Sequence, residues 1–173
     1  MEFTGWARSD TGDVRTVNQD NYLSRPEAGL FAVADGVGGK ADGELASQMF
    51  VDGIGAWAEE ASCLLRESDP TADRRHRVRV VDALVAKIEE LNTAVFERGR
   101  GTMGTTCDVL LVAEGVGFVG HVGDSRVYLI RDGQIVQLTD DHTFAERLRQ
   151  EGGDGEETPS FDRYTHVLTR SIG

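Results

Sequence analysis

An α+β fold is predicted for this chain of 173 residues, with helices packed on the faces of a β-sheet. Three observations predict it. A continuous apolar run at residues 30–34 is typical of a buried strand, and apolar residues at helical spacing follow over residues 43–61 and 77–98. After Gly99, short apolar segments alternate with turn signals, which is typical of a β-meander.

The first elements are short. Residues 3–7 (FTGWA) predict a strand and residues 9–12 a turn. The run LFAVA at residues 30–34 predicts a strand that ends at the glycine-rich bend DGVGG, residues 35–39. Two helices then follow, separated by the polar connection ESDPTADRR.

Four strands are predicted after the second helix, at residues 105–113, 116–122, 126–131 and 134–138. Glu114-Gly115 and Asp132-Gly133 are hairpin turn signals between them. A short helix (FAERLRQEG) and a loop at residues 152–160 complete the prediction.

Composition excludes some classes of function. The net charge of -12 argues against binding to nucleic acid or to an anionic membrane, because nothing offsets the repulsion between like charges. No apolar stretch is long enough to span a membrane, and the first residues lack the apolar core of a signal peptide. Cys63 and Cys107 form no CxxC pair, so free thiols in a reducing cytoplasm are expected.

Asp35-Gly36 is one of five Asp-Gly pairs in the chain, and most such pairs are simply turns. This pair differs because a buried strand leads into it. The carboxylate of Asp35 and the carbonyl oxygen of Gly36 are hard oxygen ligands of the kind that Mg²⁺ and Mn²⁺ prefer. A metal site and an ordinary turn both remain open from this context alone.

Two further segments carry candidate residues. If residues 14–24 are extended, alternation places Arg15 and Asp20 on opposite faces; the arginine suits a phosphate dianion, and the aspartate suits a metal or its water. Asp124, in Gly-Asp-Ser-Arg between two apolar strands, is either part of a hairpin turn or a third carboxylate near Asp35. For the segment with Arg15 and Asp20, a surface arginine and a turn-forming Asn/Asp remain the alternative interpretations.

Other reactive side chains give weaker signals. The four histidines form no HExxH or HxH pair, so a zinc hydrolase is poorly supported, and His121 is expected to be a hydrogen-bonded residue near the core. Cys107 and the serines lack the context of a nucleophile. The basic cluster at residues 74–79 is expected to be a solvated helix start.

Taken in order, these segments resemble one family. The chain contains, in this order, Arg15 with NQD, LFAVADGVGG, GTT, HVGDSR, LTDDHT and LTRSIG. This series resembles the PPM family, the type 2C protein phosphatases, and most closely its compact bacterial members. The likeness runs from about residue 4 to the last residue. It implies an antiparallel β-sandwich flanked by helices, in α-β-β-α layers.

The resemblance also implies roles for single residues. Asp35 would bridge two Mn²⁺ or Mg²⁺ ions, Gly36 would bind one through its carbonyl, and Asp20 would hold water on a metal. Asp124 would contribute to a third, weaker metal position, and Arg15 would grip the substrate phosphate. Thr143 to Ser160 would form the flap beside the site. Mn²⁺ and Mg²⁺ cannot be distinguished, because both favour octahedral oxygen ligands.

The sequence departs from the family pattern at three places. Gln19 stands where many members have Glu, and Val37 where some have a histidine, which leaves the general acid unassigned with Lys40 a weak candidate. The distal Asp-Gly and Asp-Asn motifs are missing from residues 1–173, so the single phosphatase domain is expected to be incomplete at its C-terminus, either as a fragment or as a short natural form. We expect such a chain to bind metal weakly and to be slow or inactive alone.

Two functions follow from this resemblance. The first is metal-dependent hydrolysis of phosphoserine and phosphothreonine in proteins, by a cytoplasmic, monomeric enzyme that opposes a bacterial kinase. The second is a catalytically inactive phosphatase-fold module that binds phosphoproteins or a regulatory partner. A purely structural acidic domain explains neither ADGVGG nor HVGDSR.

Overall fold

The structure is a computed structural model that describes residues 2–13, 16–38, 42–151 and 164–173. Its strands are β1 (Asp20–Arg25), β2 (Leu30–Val37), β3 (Gly104–Thr105), β4 (Cys107–Ala113), β5 (Val116–Val122), β6 (Tyr128–Arg131) and β7 (Gln134–Gln137). Its helices are α1 (Asp42–Ala56), α2 (Ala58–Arg66), α3 (Arg74–Gly99) and α4 (Phe144–Gln150), and a 3₁₀ turn spans Pro26–Ala28.

All strand pairs are antiparallel. The larger sheet has the order β1-β2-β4-β5, with the short β3 also paired to β2, and the second sheet is the hairpin β6-β7. The predicted α+β class with antiparallel sheets is therefore confirmed. The two predicted hairpin turns are confirmed as well, because Glu114-Gly115 and Asp132-Gly133 have positive φ at both positions.

One face of the larger sheet, here called the inner face, carries the helices. On β2 this face presents Leu30, Ala32, Ala34 and Gly36, all buried. The apolar residues of α1, α2 and α3 pack on it, with Phe50, Ile54 and Val80 fully buried. At the end of β2, the absence of a side chain at Gly36 lets the backbone of α1 approach closely.

The opposite face, here called the outer face, is only partly covered. The strand registers align Tyr22, Val33, Asp108 and His121 in one row across the four main strands. Tyr22 and Val33 remain 45% and 50% exposed. A cavity of about 320 Å³ lies between this face and residues 125–128, which lead into β6.

Several predicted elements differ in the structure. The helix predicted over residues 43–61 is two helices, because the chain breaks at Trp57, whose N–H is shared between the carbonyls of Gly53 and Ile54. A Cβ at Gly53 would lie 2.2 Å from a methyl carbon of Leu91, so the approach of α3 requires a residue of low helix propensity there. Residues 3–7 form no strand.

The start of α3 lies three residues before its predicted position. Asp73 is the N-cap, and its carboxylate accepts hydrogen bonds from the N–H groups of Arg75 and His76. The predicted strand at residues 105–113 is divided at Thr106 into β3 and β4. No helix among the described residues has the length and apolar character needed to cross a membrane.

Candidate metal and phosphate site

Asp20 and Asp35 lie directly opposite each other where β1 and β2 meet the end of the sheet. The N–H of Gly36 donates to the carbonyl of Gln19 at 3.1 Å, so the neighbouring Asp20–Asp35 pair is of the type without mutual hydrogen bonds. Side chains of such pairs share one face and are close together. Like charges at opposed positions repel, so this arrangement calls for a cationic neighbour, either a basic side chain or a metal ion.

The backbone of Asp35 is held on its other side by two threonines. Its N–H donates to Oγ1 of Thr106 at 2.9 Å, and its carbonyl accepts from the N–H of Thr106 at 2.9 Å and from Oγ1 of Thr105 at 3.0 Å. Both threonines are fully buried. The end of β2 is therefore fixed between β1 and the β3–β4 junction, which gives the Asp35 side chain a defined direction.

Gly36 has no room for a side chain. A Cβ at this position would lie 2.1 Å from the carbonyl oxygen of Gly43, in the first turn of α1. Ser47, one turn further along α1, donates to the carbonyl of Gln19 at 2.5 Å and accepts from the Asn21 side chain at 2.9 Å. Helix α1 therefore fixes the residues on both sides of Asp20 as well as the backbone after Asp35.

Asp124 lies in the connection between β5 and β6. This connection is not a hairpin, because β5 pairs with β4 whereas β6 pairs with β7, so the hairpin alternative for Asp124 is wrong. The hydroxyl of the next residue, Ser125, contacts Oγ1 of Thr106 at 2.8 Å. Thr106 thus connects the segment that carries Asp124 to the backbone of Asp35.

A buried Asp–His pair lies beside this segment. Asp108 and His121 are opposed on β4 and β5, and Asp108 Oδ1 is 2.8 Å from Nδ1 of His121. Burial raises the pKa of Asp108, the hydrogen bond from His121 opposes that rise, and the charges of Asp124 and Asp141 add to it. The expectation that His121 is a hydrogen-bonded residue near the core is confirmed.

The site was tested for its fit to a divalent cation. The ligands offered by Asp20, Asp35 and Asp124 are carboxylate oxygens, which suit Mg²⁺ and Mn²⁺. Within the described part of the chain, no group of three or more His, Cys, Asp or Glu side chains is arranged to hold one ion. The residues present fit such an ion in chemical type.

Some predicted residues lie outside the described ranges. Arg15, predicted to grip phosphate, and Lys40, the weak candidate for the general acid, are among them. Of the predicted flap over Thr143–Ser160, only residues 143–151 are described; Thr143 begins α4 by accepting a hydrogen bond from the N–H of Glu146. The role of Gly36 as a carbonyl ligand stays a prediction.

Sequence reasoning missed the residues that support the site. These residues are Ser47, Thr106, Asp108, Asp141 and His142. A signal was available for Asp108, because a charged residue opens the otherwise apolar segment DVLLVA. Nothing in the spacing indicates that Ser47 on a helix contacts the backbone of Gln19.

Comparison with known proteins gives a consistent result. The family model described as Protein phosphatase 2C matches residues 12–170. The chain is 32% identical over 169 residues to the protein phosphatase PhpP of Streptococcus pneumoniae, an alignment that covers 95% of the chain and 65% of PhpP. The chain therefore spans about two thirds of the length of this curated relative.

Solved structures agree with the sequence matches. The PPM Ser-Thr phosphatase MsPP from Mycobacterium smegmatis, in complex with cacodylate, is 34% identical with a TM-score of 0.71, over 95% of this chain and 64% of MsPP. The catalytic domain of the serine/threonine protein phosphatase PstP, in complex with two manganese ions, is 32% identical with a TM-score of 0.72, over 95% of this chain and 64% of that catalytic domain.

Proposed function

The chain belongs to the protein phosphatase 2C family, and on this premise we propose that it is part of an enzyme that hydrolyses phosphoserine and phosphothreonine in proteins. The observation that carries the proposal is the Asp20–Asp35 pair, placed in register at the end of the sheet by three independent elements: β1, the β3–β4 junction and α1. Named relatives with protein phosphatase activity support it.

Under this proposal Asp35 and the carbonyl of Gly36 would hold divalent ions, Asp20 would hold water on one of them, and Asp124 would contribute to a third, weaker position. The manganese ions bound to PstP support two such positions. When bound, ions of this kind activate water and neutralise charge on phosphate oxygens. Arg15 would bind the phosphate dianion in a bidentate manner and orient phosphorus for in-line attack.

The substrates would be proteins modified by a bacterial serine/threonine kinase, and the enzyme would act as a cytoplasmic monomer. The sequence places no credible nucleophile near Asp35, since Cys107 is buried on the inner face and burial raises the pKa of its thiol. Direct attack by water, without a covalent enzyme intermediate, is therefore the step that these residues suit.

Substitution of Asp35→Asn tests the proposal. Hydrolysis of p-nitrophenyl phosphate and of a phosphothreonine peptide by residues 1–173 with Mn²⁺ should already be slow, and we expect Asp35→Asn to lower it by at least about 100-fold more, because even residues that only orient metal ligands contribute 10–100-fold. Circular dichroism should stay unchanged. Asp82→Asn, an exposed carboxylate on α3, is the matched control and should retain full activity.

The outcome also separates the two candidate functions. If the unmodified chain hydrolyses neither substrate with Mn²⁺ or Mg²⁺, and binds phosphopeptide equally well with and without Asp35→Asn, then the inactive binding module is correct instead. The relatives give that alternative no support, because they are named as phosphatases.

A further inference from the structure

The segment that carries Asp124 is anchored at the residues on both sides of it. Ser125 contacts Thr106, and Arg126 makes a bidentate ion pair with Asp141, with Nε 2.8 Å from Oδ1 and Nη2 2.5 Å from Oδ2. On the other side, Gly123 is bound by His142. The backbone on both sides of Asp124 is therefore held by contacts with other segments of the chain.

The anchor between Gly123 and His142 consists of two hydrogen bonds. The backbone N–H of His142 donates to the carbonyl of Gly123 at 2.7 Å, and the N–H of Gly123 donates to Nδ1 of the His142 ring at 3.1 Å. Gly123 has φ +117, and a Cβ there would lie 2.6 Å from Cγ2 of Thr106. Because this position requires glycine, which has no side chain, only the N–H and the carbonyl of Gly123 can form hydrogen bonds. His142 forms a hydrogen bond with each of them.

Acceptance at Nδ1 requires a neutral ring with its proton on Nε2. The surroundings favour that form. Burial lowers the pKa of His142, and the nearby His121 and Arg170 lower it further, whereas Asp140 and Asp141 act in the opposite direction. The ring therefore remains an acceptor for Gly123 under ordinary conditions.

His121 fixes the position of the His142 ring. The two ring centroids are 4.8 Å apart, with the planes tilted by 33°. His121 is itself bonded at both nitrogens, to the Asp108 carboxyl at 2.8 Å and to the carbonyl oxygen of Asp140 at 2.9 Å. A carbonyl can only accept, so Nε2 of His121 donates to Asp140, while Nδ1 faces the Asp108 carboxyl.

We propose that His142 is a positioning residue that holds the backbone at Asp124 through its two hydrogen bonds to Gly123, in the segment that Ser125 and Thr106 join to the backbone of Asp35. Asp108 and His121 serve the same purpose one step further away, by fixing the ring that accepts the bond. This inference rests on the proposed function, because the position of Asp124 matters for catalysis only if the site binds metal.

Two substitutions separate the hydrogen bond from the ring contact. His142→Phe keeps a ring against His121 but has no acceptor. His142→Asn loses the ring but places an oxygen near the position of Nδ1. His166→Asn, at an exposed histidine, is the control. A dispersed amide NMR spectrum establishes that each variant is folded.

The first measurement is hydrogen exchange at the Gly123 amide in the 173-residue chain. We expect about tenfold faster exchange in His142→Phe, as the loss of one hydrogen bond predicts, and nearly unchanged exchange in His142→Asn and His166→Asn. Unchanged exchange in His142→Phe would overturn the proposal, whatever the chain does with phosphate.

The second measurement is a Mg²⁺ titration followed by the chemical shift of the Asp124 amide. His142→Phe should need about tenfold more Mg²⁺ for half of the shift at Asp124, with His142→Asn close to the unmodified chain. An equal Mg²⁺ requirement in all variants overturns the positioning role alone. If Mg²⁺ and Mn²⁺ leave Asp20, Asp35 and Asp124 of the unmodified chain unaffected, the proposed function fails and the positioning role fails with it.

Discussion

The two faces of the larger sheet differ in burial and polarity, and β2 contributes alternate residues to each. Along β2, Ala32 and Ala34 are buried against helices, whereas Val33 between them is half exposed and Asp35 lies at the end of the outer face. The inner face holds most of the apolar core, and the outer face carries the polar groups at one end. Residues that pack in the core and residues that face the candidate site therefore alternate along the same strand.

The contrast predicts very different costs for substitutions on the two faces. Inner-face residues contact neighbours on every side, so removing atoms leaves a cavity or unfilled space. Exposed outer-face residues such as Tyr22 and Val33 contact solvent, so their replacement changes little. The four predictions that follow test this difference in order of expected effect.

The largest effect is expected for Phe50→Ala on α1. Phe50 is fully buried and lies in the middle of the inner-face core, so its truncation should cost about 3–5 kcal/mol of unfolding free energy. Urea denaturation followed by circular dichroism measures it. A cost below about 1 kcal/mol would mean that the helices do not pack on the sheet as described.

Gly36→Ala should cost less in stability, about 1–3 kcal/mol, because the added methyl group overlaps the Gly43 carbonyl and α1 must shift. The same denaturation experiment applies. Gly133→Ala is the contrasting variant, since a Cβ there meets nothing within 4 Å and only the positive φ opposes it. Equal costs for the two variants would show that steric contact with α1 is unimportant.

A smaller effect is expected from pH. The folded pKa of His142 is lowered, so the unfolded chain binds the proton more readily, and stability present above the ordinary value of 6.5 is lost as pH falls below it. Asp108, whose pKa is raised, acts in the opposite sense. Between about pH 7 and about pH 5.5, the unmodified chain should lose more stability than His142→Asn does. Parallel pH profiles would contradict this assignment.

The smallest effect is expected for Val33→Thr on the outer face. Val33 is 50% exposed, so the change should alter the unfolding free energy by less than about 0.5 kcal/mol. Ala34→Thr, the next residue but on the inner face, should cost several times more because it is fully buried. If Val33→Thr is as costly as Ala34→Thr, the outer face is covered in solution.

Much of the fold was predictable because the signals are local. Three signals depend only on neighbours a few residues away: the apolar run LFAVA, the apolar stripe of α3, and the turns at Glu114-Gly115 and Asp132-Gly133. The predicted bounds of β5 also match the structure. The break at Trp57, where one N–H is shared between the carbonyls of Gly53 and Ile54, was not predicted because the apolar spacing continues through it. Residues 3–7 alternate like a strand but find no strand partner among the described residues.

The candidate site was predictable only in part, for the same reason. Asp20 begins β1, Asp124 follows β5, and Asp35 directly follows the apolar run LFAVA within β2, so their positions near strand ends could be inferred from the sequence. The groups that hold them could not. Ser47 contacts Gln19 across 28 residues and Thr106 contacts Asp35 across 71 residues, and no periodicity encodes such contacts.

The close packing of Gly36 on Gly43 has a consequence for regulation. Helix α1 and the end of β2 form one rigid body, since tightly packed interiors transmit a displacement instead of absorbing it. The solvent side of α1 exposes Glu44, Gln48 and Asp52 at successive turns. A displacement of α1 from this side would therefore be passed to the backbone that follows Asp35.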